Sequence, residues 1–184
     1  VLNTTVDQEA CPNNLAPTSS TTAQLVMGDA LAVALMELKG FGPDDFARFH
    51  PGGMLGKQLY LRVSDIYINN EKPFVSPDST LKKVIVEISQ HRLGATAVVN
   101  DKNELVGMIT DGDLRRMLEK DASLETVKAK DIMSHQPKTI IPDALAVTAL
   151  DLLRKHDITQ LLVASGSRYL GIIHLHDLVR EGLI

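Results

Sequence analysis

The sequence predicts an α+β fold in which a β-α-β-β-α unit occurs twice in tandem behind an N-terminal segment of α/β character. Three observations carry this. The stretch Gly107-Met108-Ile109-Thr110-Asp111-Gly112-Asp113-Leu114 has a second copy, Gly171-Ile172-Ile173-His174-Leu175-His176-Asp177-Leu178, near the end of the chain. The elements upstream of each copy keep the 64-residue spacing of Asp113 and Asp177 to within a residue or two, which is the mark of a repeat. The 184 residues are 44% hydrophobic, enough to bury the cores of two small domains.

Composition removes several function classes. With 23 acidic and 19 basic residues the net charge is −4, so no chain-wide positive field is available to hold nucleic acid or anionic lipid. The most apolar stretch, Ala30 to Met36, is fenced by Asp29 and Glu37 and is far shorter than the roughly 20 residues of a spanning helix, so no membrane anchor is expected. A single cysteine, Cys11, forms no intrachain disulfide and suits a reducing compartment, which gives a cytoplasmic expectation. The chain opens at Val1 with neither Met nor a signal pattern and reads as a fragment.

The elements follow in order. Residues 1–6 have the β-branched content of a strand end, and residues 7–14 are turn-like and carry Glu9. Ser19 to Thr22 offer N-caps for a long helix that ends at Gly40, a C′ glycine. Leu25, Val26, Leu31, Ala32, Leu35 and Leu38 leave that helix apolar on most faces, which predicts burial against a larger part of its domain that lies upstream. Pro43 to Phe49 read as a short helix, and His50-Pro51-Gly52-Gly53 as a shaped loop that either holds His50 at the rim of a pocket or merely ends the helix. Residues 57–64 are a linker.

The first unit, residues 65–125, begins at Asp65-Ile66. Pro77-Asp78 introduces a helix with the inward stripe Leu81, Val84, Ile85 and Ile88. Ala95 to Val99 is a strand, residues 101–104 a hairpin turn, Val106 to Thr110 the next strand, and a closing helix starts near Asp113. The second unit, residues 126–184, repeats this with Asp131-Ile132, Pro142-Asp143 and the stripe Ala146, Ala149, Leu150 and Leu153. Ser165-Gly166-Ser167 is one residue shorter than the matching turn, which moves the offset from 65 to 64.

This unit, with Gly-apolar-apolar-Thr-x-x-Asp between its last strand and last helix, resembles the CBS domain, and the tandem pair resembles a Bateman module. The resemblance implies a disc with two clefts that bind nucleotides or related ligands. Asp113 and Asp177 can accept ribose hydroxyls, Thr110 can donate to phosphate, and Arg92, Arg115 and Arg116 can hold phosphate oxygens. Thr139 and His174 complete the candidate ligand set. His174 stands where the first copy has Thr110, which points to a different ligand at that cleft. For Asp113 and Asp177 the alternative role is helix capping. His174 and His176 are two apart and no carboxylate or thiol cluster joins them, so no metal site is expected. No cofactor is expected either.

Glu9-Ala10-Cys11-Pro12, Leu15 to Thr22, Met27-Gly28-Asp29-Ala30-Leu31-Ala32 and His50-Pro51-Gly52-Gly53-Met54-Leu55-Gly56 resemble the end of a sugar isomerase (SIS) domain. This assigns residues 1–56 to its C-terminal strand and helices. More narrowly they are similar to the D-arabinose-5-phosphate isomerases, which join a SIS domain to a CBS pair. The resemblance implies interconversion of D-ribulose 5-phosphate and D-arabinose 5-phosphate, towards Kdo for lipopolysaccharide or capsule. Glu9 and His50 fall at two catalytic positions, and the remaining catalytic groups and the phosphate loop lie upstream. The sugar phosphate is then the substrate of the parent enzyme, a dimer or tetramer, and the fragment alone is inactive. The CBS pair is expected to bind a nucleotide or CMP-Kdo as effector. The alternatives are an inert adenine-nucleotide module and a purely oligomerising one.

Overall fold

The computed structural model describes residues 1–50, 52–119 and 126–184. Pro51 of the histidine-glycine loop and the expected boundary between residues 125 and 126 lie outside the described residues. The chain forms two compact units, Val1–His50 and Pro51–Ile184.

In the first unit, residues 1–6 form no strand. Their β-branched composition favours an extended backbone, but a strand exists only through a hydrogen-bonded neighbour. Helix α1 (Ser19–Leu38) ends as expected: Gly40 takes φ +61°, and the Phe41 N–H donates to the Met36 carbonyl at 2.9 Å, closing a Schellman turn. Its start differs from expectation, because the N-cap position is Thr18 and its side chain makes no cap bond to the helix. Among the described residues nothing covers the apolar surface of this helix. No residue of α1 is buried, and Leu25, Val26, Val33 and Leu38 are all more than 60% exposed. At 20 residues and a mean hydropathy of 1.2, α1 passes for a membrane-crossing helix by length and composition only, a test that the core helix of a soluble domain also passes. Helix α2 (Pro43–Phe49) starts with proline at its first turn and ends at His50.

The second unit opens with α3 (Met54–Tyr60) and α4 (Val63–Tyr67). The first repeat continues as β1 (Phe74–Val75), α5 (Leu81–His91), β2 (Ala95–Val99), β3 (Leu105–Thr110) and α6 (Asp111–Leu118). The second runs through α7 (Ala129–Ile132), β4 (Thr139–Ile140), α8 (Ala146–His156), β5 (Gln160–Ser165), β6 (Arg168–His174) and α9 (Leu175–Arg180). Each sheet has three strands, ordered β1-β2-β3 and β4-β5-β6, with the first pair parallel and the second antiparallel. Each antiparallel pair shifts register at an equivalent place, Val98/Val99 and Val163/Ala164.

The repeats exchange their leading segments. Val63 N–H donates to the Ala144 carbonyl and Ala129 N–H to the Ser79 carbonyl, both at 2.9 Å, two symmetry-related bonds between repeats. Leu61, Val63 and Ile66 accordingly pack with Leu150, Leu153, Leu161 and Leu178 of the second repeat, while Ala129 packs with Val84, Ile88 and Ile109 of the first. The glycines of the two copies make this possible. A Cβ on Gly107 would meet the Met133 sulfur at 2.6 Å, and one on Gly171 would meet the Tyr67 ring at 2.7 Å. Between the two sheets Ala95, Ala97, Val99 and Met108 pack against Leu162, Tyr169 and Ile172. β2 is buried along its whole length, as a strand covered on both faces requires.

Candidate functional site

Among the described residues the pseudo-twofold exchange leaves a cavity of about 620 Å³ between Asp113, Arg116 and the Asp131–Met133 segment, and two clefts in which the motif of one repeat faces polar residues of the other. The first, about 250 Å³, is lined by Thr110, Asp113 and Arg116 of the first repeat and by Gln136, Lys138 and Gln160 of the second. The second, about 510 Å³, is lined by Asn70, Arg92 and Asp111 of the first and by His174, Asp177 and Arg180 of the second.

In the first cleft Thr110 is the N-cap of α6. Asp113 reaches back so that its Oδ2 accepts the Thr110 N–H at 2.8 Å and the Thr110 hydroxyl at 2.7 Å. The Asp113 N–H returns a bond to Thr110 Oγ1 at 3.3 Å, completing a reciprocal cap in which Asp replaces the usual Glu. The other carboxylate oxygen, Oδ1, accepts Arg116 Nη2 at 2.6 Å. Both oxygens of Asp113 are therefore engaged within its own repeat.

In the second cleft His174 caps α9, its Nδ1 accepting the His176 N–H at 3.0 Å. Burial pushes the His174 imidazole below its ordinary pKa, and His176 adds to this while Asp177 opposes it. With Nδ1 assigned as acceptor, the neutral ring carries its proton on Nε2. The two imidazoles meet edge to face at 4.7 Å between centroids. The expectation that residues two apart face different ways does not hold here, because His174 precedes the helix and only His176 is within it. Asp177 is 7% exposed, and its Oδ2 accepts the His174 N–H at 2.8 Å and the Asn70 amide at 2.7 Å.

Of the remaining candidates, Arg92 lines the second cleft from the C-cap of α5, in a left-handed conformation at φ 56°. Arg115 and Thr139 are exposed and lie outside the lining of both clefts. Glu9 does what Ser19 to Thr22 were expected to do. Its Oε2 accepts the Thr18 N–H at 2.7 Å, the Thr18 hydroxyl at 3.1 Å and the Ser20 N–H at 3.2 Å. The bonds from Ser20 and Thr18 hold its pKa down to about 2. His50 is the C-cap of α2 with its ring 4.7 Å from that of Phe46, and among the described residues no hydrogen bond joins it to Glu9.

Asn70, Gln160, Lys138 and Arg180 were missed as cleft residues. The repeat itself signals Arg180, which stands 64 positions after Arg116. Asn70 reaches Asp177 from the segment that follows the exchanged Val63–Tyr67 helix, and no local pattern marks it, Lys138 or Gln160.

Comparison with known proteins places these features. The family described as CBS domain matches residues 63–120 and 129–183. Arabinose 5-phosphate isomerase KdsD of Yersinia pestis is 49% identical over 180 residues, 97% of this chain and 55% of the relative. The chain thus spans about half the length of the curated relatives it matches. Among solved structures, the CBS domain protein PAE2072 from Pyrobaculum aerophilum, complexed with AMP, superposes with a TM-score of 0.59 at 19% identity, over 64% of this chain and 90% of that one. CBSX2 in complex with AMP superposes with a TM-score of 0.55 at 21% identity, over 67% and 96%.

Proposed function

The chain belongs to the CBS domain family, and from that premise we propose that it is the sensor-bearing part of an arabinose 5-phosphate isomerase. The observation that carries the reading is the extent of the likeness to the Yersinia pestis relative. At 97% of the chain it runs beyond the two CBS matches and takes in the segment around Glu9 and His50. In this reading residues 1–56 close a SIS domain whose remaining part covers the apolar face of α1, and the whole enzyme assembles as a dimer or tetramer in the cytoplasm.

Aldose-ketose exchange moves a proton between C1 and C2 through an enediol and needs a group able to take and return it near neutral pH. A carboxylate held near pKa 2 by three donors is a poor base, so Glu9 is assigned to ordering the start of α1. His50 is assigned to proton transfer with the sugar phosphate. The substrate pair is D-ribulose 5-phosphate and D-arabinose 5-phosphate, feeding Kdo and lipopolysaccharide synthesis.

The CBS pair is assigned the regulatory role, with CMP-Kdo or a simple nucleotide as effector. A pathway is controlled when its activated end product biases its committed enzyme, and this requires the effector to favour one state of the oligomer. AMP in the two neighbouring structures favours a second reading, an adenine-nucleotide sensor. A thermal-shift titration separates them, because a ligand at 100 times its dissociation constant adds about 2.7 kcal/mol. A larger shift with CMP-Kdo than with CMP, AMP or ATP is the expected result. Dominance of AMP or ATP supports the second reading. Isomerase activity that appears only when the chain is extended to the full length of its relatives tests the catalytic half.

A further inference from the structure

The two clefts are related by the repeat, yet they differ in what already occupies them. In the first, Asp113 spends Oδ2 on Thr110 and Oδ1 on Arg116. In the second, both bonds recorded to Asp177 end on Oδ2, and among the described residues Oδ1 has no partner and is not sealed from solvent. The cause lies in the loops. Asn70 donates to Asp177 Oδ2 and to the Ile172 carbonyl, which fixes the carboxylate, whereas Gln136, its counterpart 66 positions on, makes no bond to Asp113.

The arginines follow the same division. Arg116 is paired, while the guanidinium groups of its counterpart Arg180 and of the neighbouring Arg92 make no ion pair or hydrogen bond among the described residues. The second cleft, of about 510 Å³, therefore presents a free carboxylate oxygen beside two uncommitted guanidinium groups, whereas Asp113 and Arg116, already paired to each other, line both the first cleft and an adjoining cavity of about 620 Å³. Of the cations lining the first cleft, Lys138 alone is uncommitted among the described residues. A carboxylate accepts a pair of sugar hydroxyls, and an unpaired guanidinium donates in parallel to phosphate oxygens.

We infer that the His174–Asp177 cleft is the single effector site of the pair, taking a phosphate ester with a free cis-diol, and that at the Thr110–Asp113 motif Arg116, its side chain 67% exposed, holds the carboxylate oxygen that a ligand's hydroxyl would meet. The inference rests on the sensor reading above and adds to it which cleft is used, how many ligands bind and what holds the carboxylate of the other.

Calorimetric titration of the 184-residue chain with AMP, CMP and CMP-Kdo is the test. One ligand per chain is expected, with affinity reduced by about 10-fold or more in Arg180→Ala and in Arg92→Asn. Arg180 is exposed, and Asn tolerates the left-handed backbone at position 92, so neither variant threatens folding. Arg116→Ala is expected to raise the stoichiometry to two. The 2′-deoxy form of the bound nucleotide is expected to bind at least about 10-fold more weakly. Two sites in the unaltered chain, or affinity kept in Arg180→Ala and lost in Asp113→Asn, overturns the cleft assignment while leaving the sensor reading intact. A stoichiometry of one in Arg116→Ala overturns the role of Arg116, and equal binding of the 2′-deoxy form overturns the diol. No binding of any of the three ligands overturns the sensor reading and the inference with it.

Discussion

Ile85 and Leu150 occupy the same turn of the same helix in the two repeats, yet Ile85 is 40% exposed and Leu150 is 2% exposed. Leu150 is covered by Leu61, Val63 and Ile66, which reach it from the start of the unit. In the first repeat the symmetry-related segment brings Ala129, with Ile132 and Met133 at the margin, and leaves Ile85 outside the cluster. The lesson extends to the clefts. Sequence repetition copies the backbone, while the exchanged segments decide which side chains are buried and which carboxylates stay free.

Truncating the core should give the largest effects. Leu153 and Ile88 are equivalent and both nearly fully buried, but Leu153 lies in the larger cluster. Leu153→Ala is expected to cost about 4 kcal/mol and Ile88→Ala about 3 kcal/mol, within the range for buried aliphatic truncation. Urea unfolding measures both, and a reversed order would show that cluster size does not set the difference.

The motif glycines sharpen the comparison at the next level. Gly171→Ala drives a methyl into the Tyr67 ring, whereas at Gly107 the nearest atoms belong to the Met133 side chain. A ring cannot yield as a thioether does, so Gly171→Ala is expected to cost about 1–3 kcal/mol and Gly107→Ala less. Equal losses of melting temperature would mean that the Ser134 carbonyl, 3.0 Å from a Cβ at Gly107, is the real obstacle.

Thr110→Ala removes a cap and with it the hydroxyl bond to Asp113, for an expected loss of about 1 kcal/mol. The smallest effect concerns the residue that replaces Thr110 in the second repeat. Burial lowers the His174 pKa in the fold, so below the ordinary value the unfolded chain binds more protons than the folded one. The contribution is complete above the unfolded pKa of 6.5 and declines as the pH falls beneath it. Melting temperatures of the unaltered chain should therefore drop more between pH 7 and pH 5 than those of His174→Thr. Parallel pH profiles would contradict this account of His174.

Much of the architecture was legible from residue order. The offsets of 64 to 66, the turn residues and the apolar stripes fixed two β-α-β-β-α units, because hydrogen-bonding periods and capping preferences act over a few residues and are written locally. Asp113 and Asp177 were legible as candidates for the same reason, since each follows a strand and opens a helix. Arg115 was chosen by the same local reasoning and lies outside the clefts.

What only the tertiary structure decided was pairing between distant residues. Leu61 to Ile66 complete the core of the second repeat, and Asn70 anchors Asp177 from 107 positions away. Glu9, a candidate base on the sequence, spends its charge on the start of α1. A carboxylate's role follows from the donors around it, and those donors are brought together by packing across the repeats or by the closing of a loop, at distances that no local sequence period encodes.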